Sequence, residues 1–199
     1  MGAMTMARIL ALALIFASGC SDSTTGVAQG PITFTLKNDS GAPLYAQWID
    51  SRPAIFKLEI QAEGSSSWSA AAWSQPGCIS RCGDDNKGKG CVIACGPSFL
   101  GVRRIGAGAT VDAVWSGKLY PIDDKHCSDA SCYSERNPDA GKYRMTVCAF
   151  DGFTCPQSEP NCMPDDTTPI NAQTSGSEKC ASEELVVPFA GSAIELSIK

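Results

Sequence analysis

Four cysteines at matched spacing, Cys78, Cys82, Cys91 and Cys95, offer the first chemistry in this sequence. CISRCGDDNKGKGCVIAC sets two CxxxC pairs on either side of a polar, glycine-containing loop. As thiolates they have the number and softness to hold Zn²⁺ tetrahedrally. As thiols in an oxidising compartment they pair with one another before a metal arrives. On a hairpin turning at DDNKGKG, residues four apart share one strand face. That favours a nested staple, Cys82 with Cys91 and Cys78 with Cys95, over a metal cage of the four. No CxxC occurs, so a thioredoxin-like redox motif is absent and bridges here are structural.

Other chemistry-bearing types are sparse. His126, in DDKHC, is the single histidine. No GxSxG elbow accompanies it to place a nucleophile, so it reads as a surface-loop residue. The pairs Asp84-Asp85, Asp123-Asp124 and Asp165-Asp166 could give oxygens to Ca²⁺, but none fits the D-x-[DN]-x-[DN]-G spacing. Solvated loop acids are the expectation. Of four tryptophans, a core takes most; Trp68 and Trp73, set among serine and alanine in WSAAAW, are the candidates for a ligand-stacking surface. Asn38-Asp39-Ser40 fits N-x-S without a functional inference attached.

The segment that precedes these residues supplies an address. MGAMTMARILALALIFASGC has one cation, Arg8, then an apolar run over 9–17, then small residues before Cys20. This is the layout of a secretory signal, and the run is about half the ~20 residues a spanning helix needs. Ala17-Ser18-Gly19-Cys20 resembles the lipobox of bacterial lipoproteins. That resemblance implies a signal peptide over 1–19, lipid on Cys20 and a membrane tether rather than a span. Ser21, which is not Asp, resembles the outer-membrane sorting default of Gram-negative lipoproteins. The polar stretch SDSTTGVAQG then reads as a leash, so 20–30 is expected to be lipidated cysteine plus linker and 31–199 the folded domain.

Cysteine parity agrees. Of eleven cysteines, giving Cys20 to lipid leaves ten: Cys78, Cys82, Cys91, Cys95, Cys127, Cys132, Cys148, Cys155, Cys162 and Cys180. Five disulfides are the default for an exported chain. The acidic balance, formal charge −5 with pI ≈ 4.9, gives no basic footprint for nucleic acid.

Period-two patterns dominate what must position these groups. Ile32, Phe34 and Leu36, then Phe56, Leu58 and Ile60, then Ile194, Leu196 and Ile198 alternate with polar residues. Weaker strand patterns cover 44–49, 99–105, 109–119, 142–150 and 184–189. The stretches 78–97, 120–141 and 151–183 read as long loops. Seven or eight short strands with no helical period predict an all-β antiparallel sandwich with disulfide-braced loops.

PDAGKY, residues 138–143, resembles the DxGxY corner of immunoglobulin-like domains, which implies that the Tyr143 hydroxyl bonds back to the preceding turn. Cys148 falls five residues after Tyr143 and on the opposite face, away from that family's inter-sheet bridge. IGAGATVDAVWSG followed by NPDAGKYRM resembles the BsuPI proteinase-inhibitor family over 105–149. That implies a sandwich and, as an alternative function, protease inhibition. The sequence thus leads us to expect a non-enzymatic, lipid-anchored protein of the cell envelope, with a protein or glycan ligand, no cofactor, and metal binding through Cys78, Cys82, Cys91 and Cys95 as a further alternative.

Overall fold

The computed structural model describes residues 26–49, 52–77, 79–82, 99–127 and 130–199. Among them are thirteen strands and no helix: β1 (Ile32–Asn38), β2 (Leu44–Ile49), β3 (Arg52–Pro53), β4 (Phe56–Gln61), β5 (Trp68–Ala70), β6 (Ser80–Arg81), β7 (Leu100–Ile105), β8 (Thr110–Trp115), β9 (Ile122–Cys127), β10 (Ala130–Tyr133), β11 (Gly141–Thr154), β12 (Gln173–Val187) and β13 (Ala193–Ile198). The expected all-β sandwich is the fold.

One sheet runs β13-β1-β8, with β1 parallel to β13 and antiparallel to β8. The facing sheet is organised on β11, which pairs β12 along one side and β4, then β2, along the other; β5, β3 and β7 extend it. Alternation places one apolar set between the two sheets. Ile32, Phe34, Leu36, Val111, Trp115, Leu196 and Ile198 come from the first sheet, and Leu44, Trp48, Phe56, Leu58, Tyr143, Met145, Val147, Leu185 and Val187 from the second. Burying each large side chain contributes about 1.5–3 kcal/mol relative to leaving it in water.

At the centre of this layer the Trp115 and Tyr143 rings lie 5.7 Å apart. Both are fully buried, and both polar handles find carbonyls: Trp115 Nε1 donates to Lys118 O at 2.7 Å, and the Tyr143 hydroxyl donates to Asp139 O at 3.1 Å. The hydroxyl therefore makes the bond to the preceding turn that the DxGxY resemblance implied. Burial, with the nearby Asp139 charge, pushes the Tyr143 phenol up to about 12.

Residues 26–30 lie against this body. Val27 N–H donates to Pro138 O, and the buried Gln29 carboxamide donates to Phe189 O while accepting from Phe189 N–H. Gly117 makes that approach feasible: it has φ +79°, and a Cβ there would run into the Gln29 carbonyl.

Several expectations need correction. The region 120–141 is not one loop but holds the β9–β10 hairpin, which β6 joins as a small third sheet. The region 151–183 contains most of β12, which pairs β11 almost from end to end. Only Leu185 and Val187 of β12 are buried, so its first two turns of pleat carry no apolar alternation to be read. β3, β5 and β6 are two- or three-residue strands, too short to leave a period.

Three disulfides join described residues: Cys82–Cys132, Cys148–Cys180 and Cys155–Cys162. The pairing of Cys82 with Cys91 is thus overturned. Cys82 N–H bonds Tyr133 O at the end of β10, which carries the sulfur to Cys132 rather than across its own loop. Cys20, Cys78, Cys91, Cys95, Asp84 and Asp85 lie outside the described residues. Disulfides in such number are the bonding of a chain that matures in an oxidising, extracytoplasmic compartment.

Candidate binding site

The four tryptophans divide as the sequence suggested. Trp48 and Trp115 are core residues at 4% and 0% exposure, whereas Trp68 and Trp73 are half-buried. The latter two do not form one surface. Trp68 lies on the outer face of β5, capped by the Arg144 guanidinium 4.5 Å above its ring. Arg144 in turn donates through Nε and Nη2 to Glu59 Oε2, at 3.1 and 2.7 Å. Lys57 Nζ reaches the other Glu59 oxygen at 2.9 Å. Hydrogen bonds from Lys57 and Arg144 hold the Glu59 carboxyl below its usual range. Trp68 is therefore closed off inside a cation–π and ion-pair cluster, an arrangement that braces β4, β5 and β11.

Trp73 is open. It follows β5 on a segment pinned at both margins: Ala71 N–H donates to Leu58 O, and Tyr120 N–H donates to Ala72 O. The ring lines a cleft of about 620 Å³ between β8 of one sheet and the 49–56 and 73–77 segments of the other. That volume suits a small ligand or a short chain segment. Its polar groups are Arg52, Ser74, Gln75, Asp112, Ser116 and Tyr120. Most are already oriented. Gln75 Nε2 donates to the Tyr133 hydroxyl at 2.6 Å, Tyr120 and Ser116 share a hydroxyl bond at 3.0 Å, and Asp112 Oδ1 accepts from Thr35 Oγ1 at 2.7 Å. Arg52, exposed and packed over Gly77, makes no ion pair with a described residue. The cleft therefore offers one aromatic face, a cation with no ion pair among the described residues, a held carboxylate and apolar flanks at Ile49 and Val114, 42% and 62% exposed.

The remaining sequence candidates do other work. Asp165 Oδ1 accepts from Thr168 N–H, Thr167 N–H and Thr167 Oγ1, which holds its carboxyl below the ordinary range. Asp166 makes a two-point contact with Arg104, at 2.7 and 3.2 Å, and its carbonyl accepts from Arg103 Nε. This pair fastens the 156–171 segment to β7, beside the Val102–Ile170 bridge, and has no oxygen set arranged for a cation. Asp123, Asp124 and His126 fall in β9, a strand and not a loop. Asn38 is fully buried, its amide donating to the Ala42, Ile105 and Gly106 carbonyls. Cys82 is spent in a disulfide, so a cage of all four cysteines from Cys78 to Cys95 lacks one ligand. Cys148, Glu178 and Cys180 come within 4.8 Å of one another, but the two sulfurs are bonded together.

Sequence reasoning found Trp73 and missed Arg52, Asp112, Val114 and Tyr120. These come from separate stretches that only the sandwich brings together; Asp112 and Val114 sit in IGAGATVDAVWSG, a stretch that pointed to a fold and not to a site. Comparison with protein-family profiles, with curated proteins and with solved structures finds no match to this chain.

Proposed function

We propose that this protein is a lipid-anchored, extracytoplasmic, non-enzymatic binding module that takes its ligand in the Trp73 cleft. One observation carries the reading: on a rigid sandwich, Trp73 and Arg52 line the same cleft, Arg52 with no ion pair among the described residues, while Trp68 and Arg144 are satisfied by each other. A partly exposed aromatic face and a cation in one cleft are groups that a ligand can use. The lining supplies stacking, one positive charge and oriented hydrogen-bond groups, which is recognition chemistry for a protein or glycan of the envelope.

The lipobox-like Ala17-Ser18-Gly19-Cys20 supplies the anchor. Only residues 21–25 separate Cys20 from the segment that Val27 ties to the sandwich. At ~3.4 Å per residue that is about 17 Å of chain, so the domain would work close to its membrane. Two measurements test the proposal. Fatty-acid labelling of the expressed chain is expected and should vanish in Cys20→Ala. On peptide and glycan arrays, Trp73→Ala should lose the ligands the native chain retains; equal retention by the variant would remove the cleft from consideration.

A further inference from the structure

The cleft contains a feature that narrows its ligand class. β8 ends the sheet order β13-β1-β8, and among the described residues nothing pairs its second side. The ladder fixes which groups that side presents. Asn38 N–H donates to Ala109 O, so in the β1–β8 register the pairs 36/111, 34/113 and 32/115 exchange hydrogen bonds. The backbone N–H and C=O of Asp112 and Val114 therefore point away from β1, and both residues line the cleft.

Three edges of the larger sheet are guarded, whereas in the smaller one β13 and β8 both end without a second strand among the described residues, and of these two β8 lines the cleft. β12 carries exposed Glu178, Glu183 and Glu184; β5 has three residues; β7 is closed by the bridge from Val102 to Ile170. These are the ordinary ways to blunt a sheet edge. TVDAVW has no proline, lysine or bulge; its one charge, Asp112, is held by Thr35 of β1, and its Val114 is the most exposed residue of the apolar flank. An open edge lying inside a cleft is a docking site for an extended backbone.

Resting on the proposed role of the cleft, we infer that β8 takes a partner protein's extended peptide as an added strand. Two cross-strand hydrogen-bonding residues, Asp112 and Val114, would set its register. Its alternate side chains would be apolar, filling the space between Val114, Ile49 and Trp73, and one acidic side chain would meet Arg52. A glycan has no alternating N–H and C=O row to satisfy this edge. A second copy of the chain is disfavoured by space: Ile49, Arg52, Pro53, Ala54 and the 73–77 segment wall the edge into a cleft of about 620 Å³, room for a short chain segment and not for a sandwich.

The test selects displayed random peptides of about eight residues, enough for the ~20 Å of β8, on the full-length chain. Selection is run in parallel on Val114→Pro. Proline removes one edge donor, is tolerated on the open side of an edge strand, keeps an apolar ring at position 114 and leaves the cleft's other side chains in place. Expected are peptides with alternating apolar residues and an acid, whose affinity falls at least tenfold in Val114→Pro and on methylating their alternate amide nitrogens. Exchange of the Asp112 and Val114 amide protons should slow on binding. Peptides lost in Trp73→Ala but kept by Val114→Pro would overturn strand addition and leave the cleft reading standing. Peptides bound equally by both variants, or no enrichment over Val114→Pro, overturn the inference. So does sedimentation showing a native dimer that Val114→Pro abolishes, since the occupant would then be a second copy.

Discussion

Two residues after the corner tyrosine, where the immunoglobulin-like resemblance would set a bridging cysteine, this chain has Met145, fully buried. Its disulfides stand elsewhere. Cys148–Cys180 crosses between β11 and β12 on the outer face, Cys82–Cys132 clips the small β6-β10-β9 sheet, and Cys155–Cys162 closes a short loop at the start of the 156–171 segment. The interior is held by apolar burial and the periphery by covalent bonds. The difference follows from composition: the sandwich strands alternate and have a core to bury, whereas β9, β10 and most of β12 have little apolar surface and gain order from cross-links that restrict the unfolded chain.

The largest effects should come from the interior. Trp115→Ala removes the ring stacked on Tyr143 and leaves a cavity between the sheets; a loss of about 3–5 kcal/mol is expected in denaturant unfolding. A loss below about 1 kcal/mol would mean that the two-sheet core is not the main source of stability. Next, replacing Cys82 and Cys132 together by serine should cost about 2–4 kcal/mol. Hydrogen exchange tells where: amides of β9 and β10 should lose protection while those of Leu36 and Met145 keep theirs. Loss of protection at both places would break the division between interior and periphery.

That division also explains what the sequence disclosed. β1, β4 and β13 were legible because each has one face in the core and one in water, and β2 was bounded correctly at 44–49 after the turn sequence NDSGAP. The Tyr143 corner was legible because it is local, with donor and acceptor four residues apart. Cys82–Cys132 was not, since 50 residues separate the partners and ten cysteines admit many pairings. The cleft was half legible. Small neighbours marked Trp73 as exposed, but Trp68 has the same neighbours and is closed by Arg144, 76 positions along the chain, a contact that exists only because β11 pairs β4.

Smaller changes sharpen the contrast between those two tryptophans. Arg144→Ala should cost about 1–3 kcal/mol, because it strips Trp68 of its cap and leaves Glu59, 9% exposed at the side chain, with Lys57 alone. Arg52→Ala, in the same cleft as Trp73, should be within about 0.5 kcal/mol of neutral, as expected of an exposed residue with no ion pair among the described residues. Equal costs would mean that Arg52 is as structural as Arg144. Tyr143→Phe removes only the hydroxyl bond to Asp139 and should cost about 1 kcal/mol.

The subtlest test is the pH dependence of the Glu59 cluster. Lys57 and Arg144 hold the folded carboxyl below its ordinary 4.5, so the unfolded chain binds the proton more readily. The sign follows: the contribution is complete above pH 4.5 and fades as pH falls through the folded value. Asp166, lowered by Arg104, has the same sign but is 45% exposed at the side chain. Salt separates them, because exposed charges are screened and a largely buried pair is screened much less. Stability curves in high salt should therefore flatten below pH 4.5 in Glu59→Gln and remain native-like in Asp166→Asn. If both variants flatten the curve equally, the Glu59 cluster belongs with the solvated periphery, and Trp68 is no better closed than Trp73.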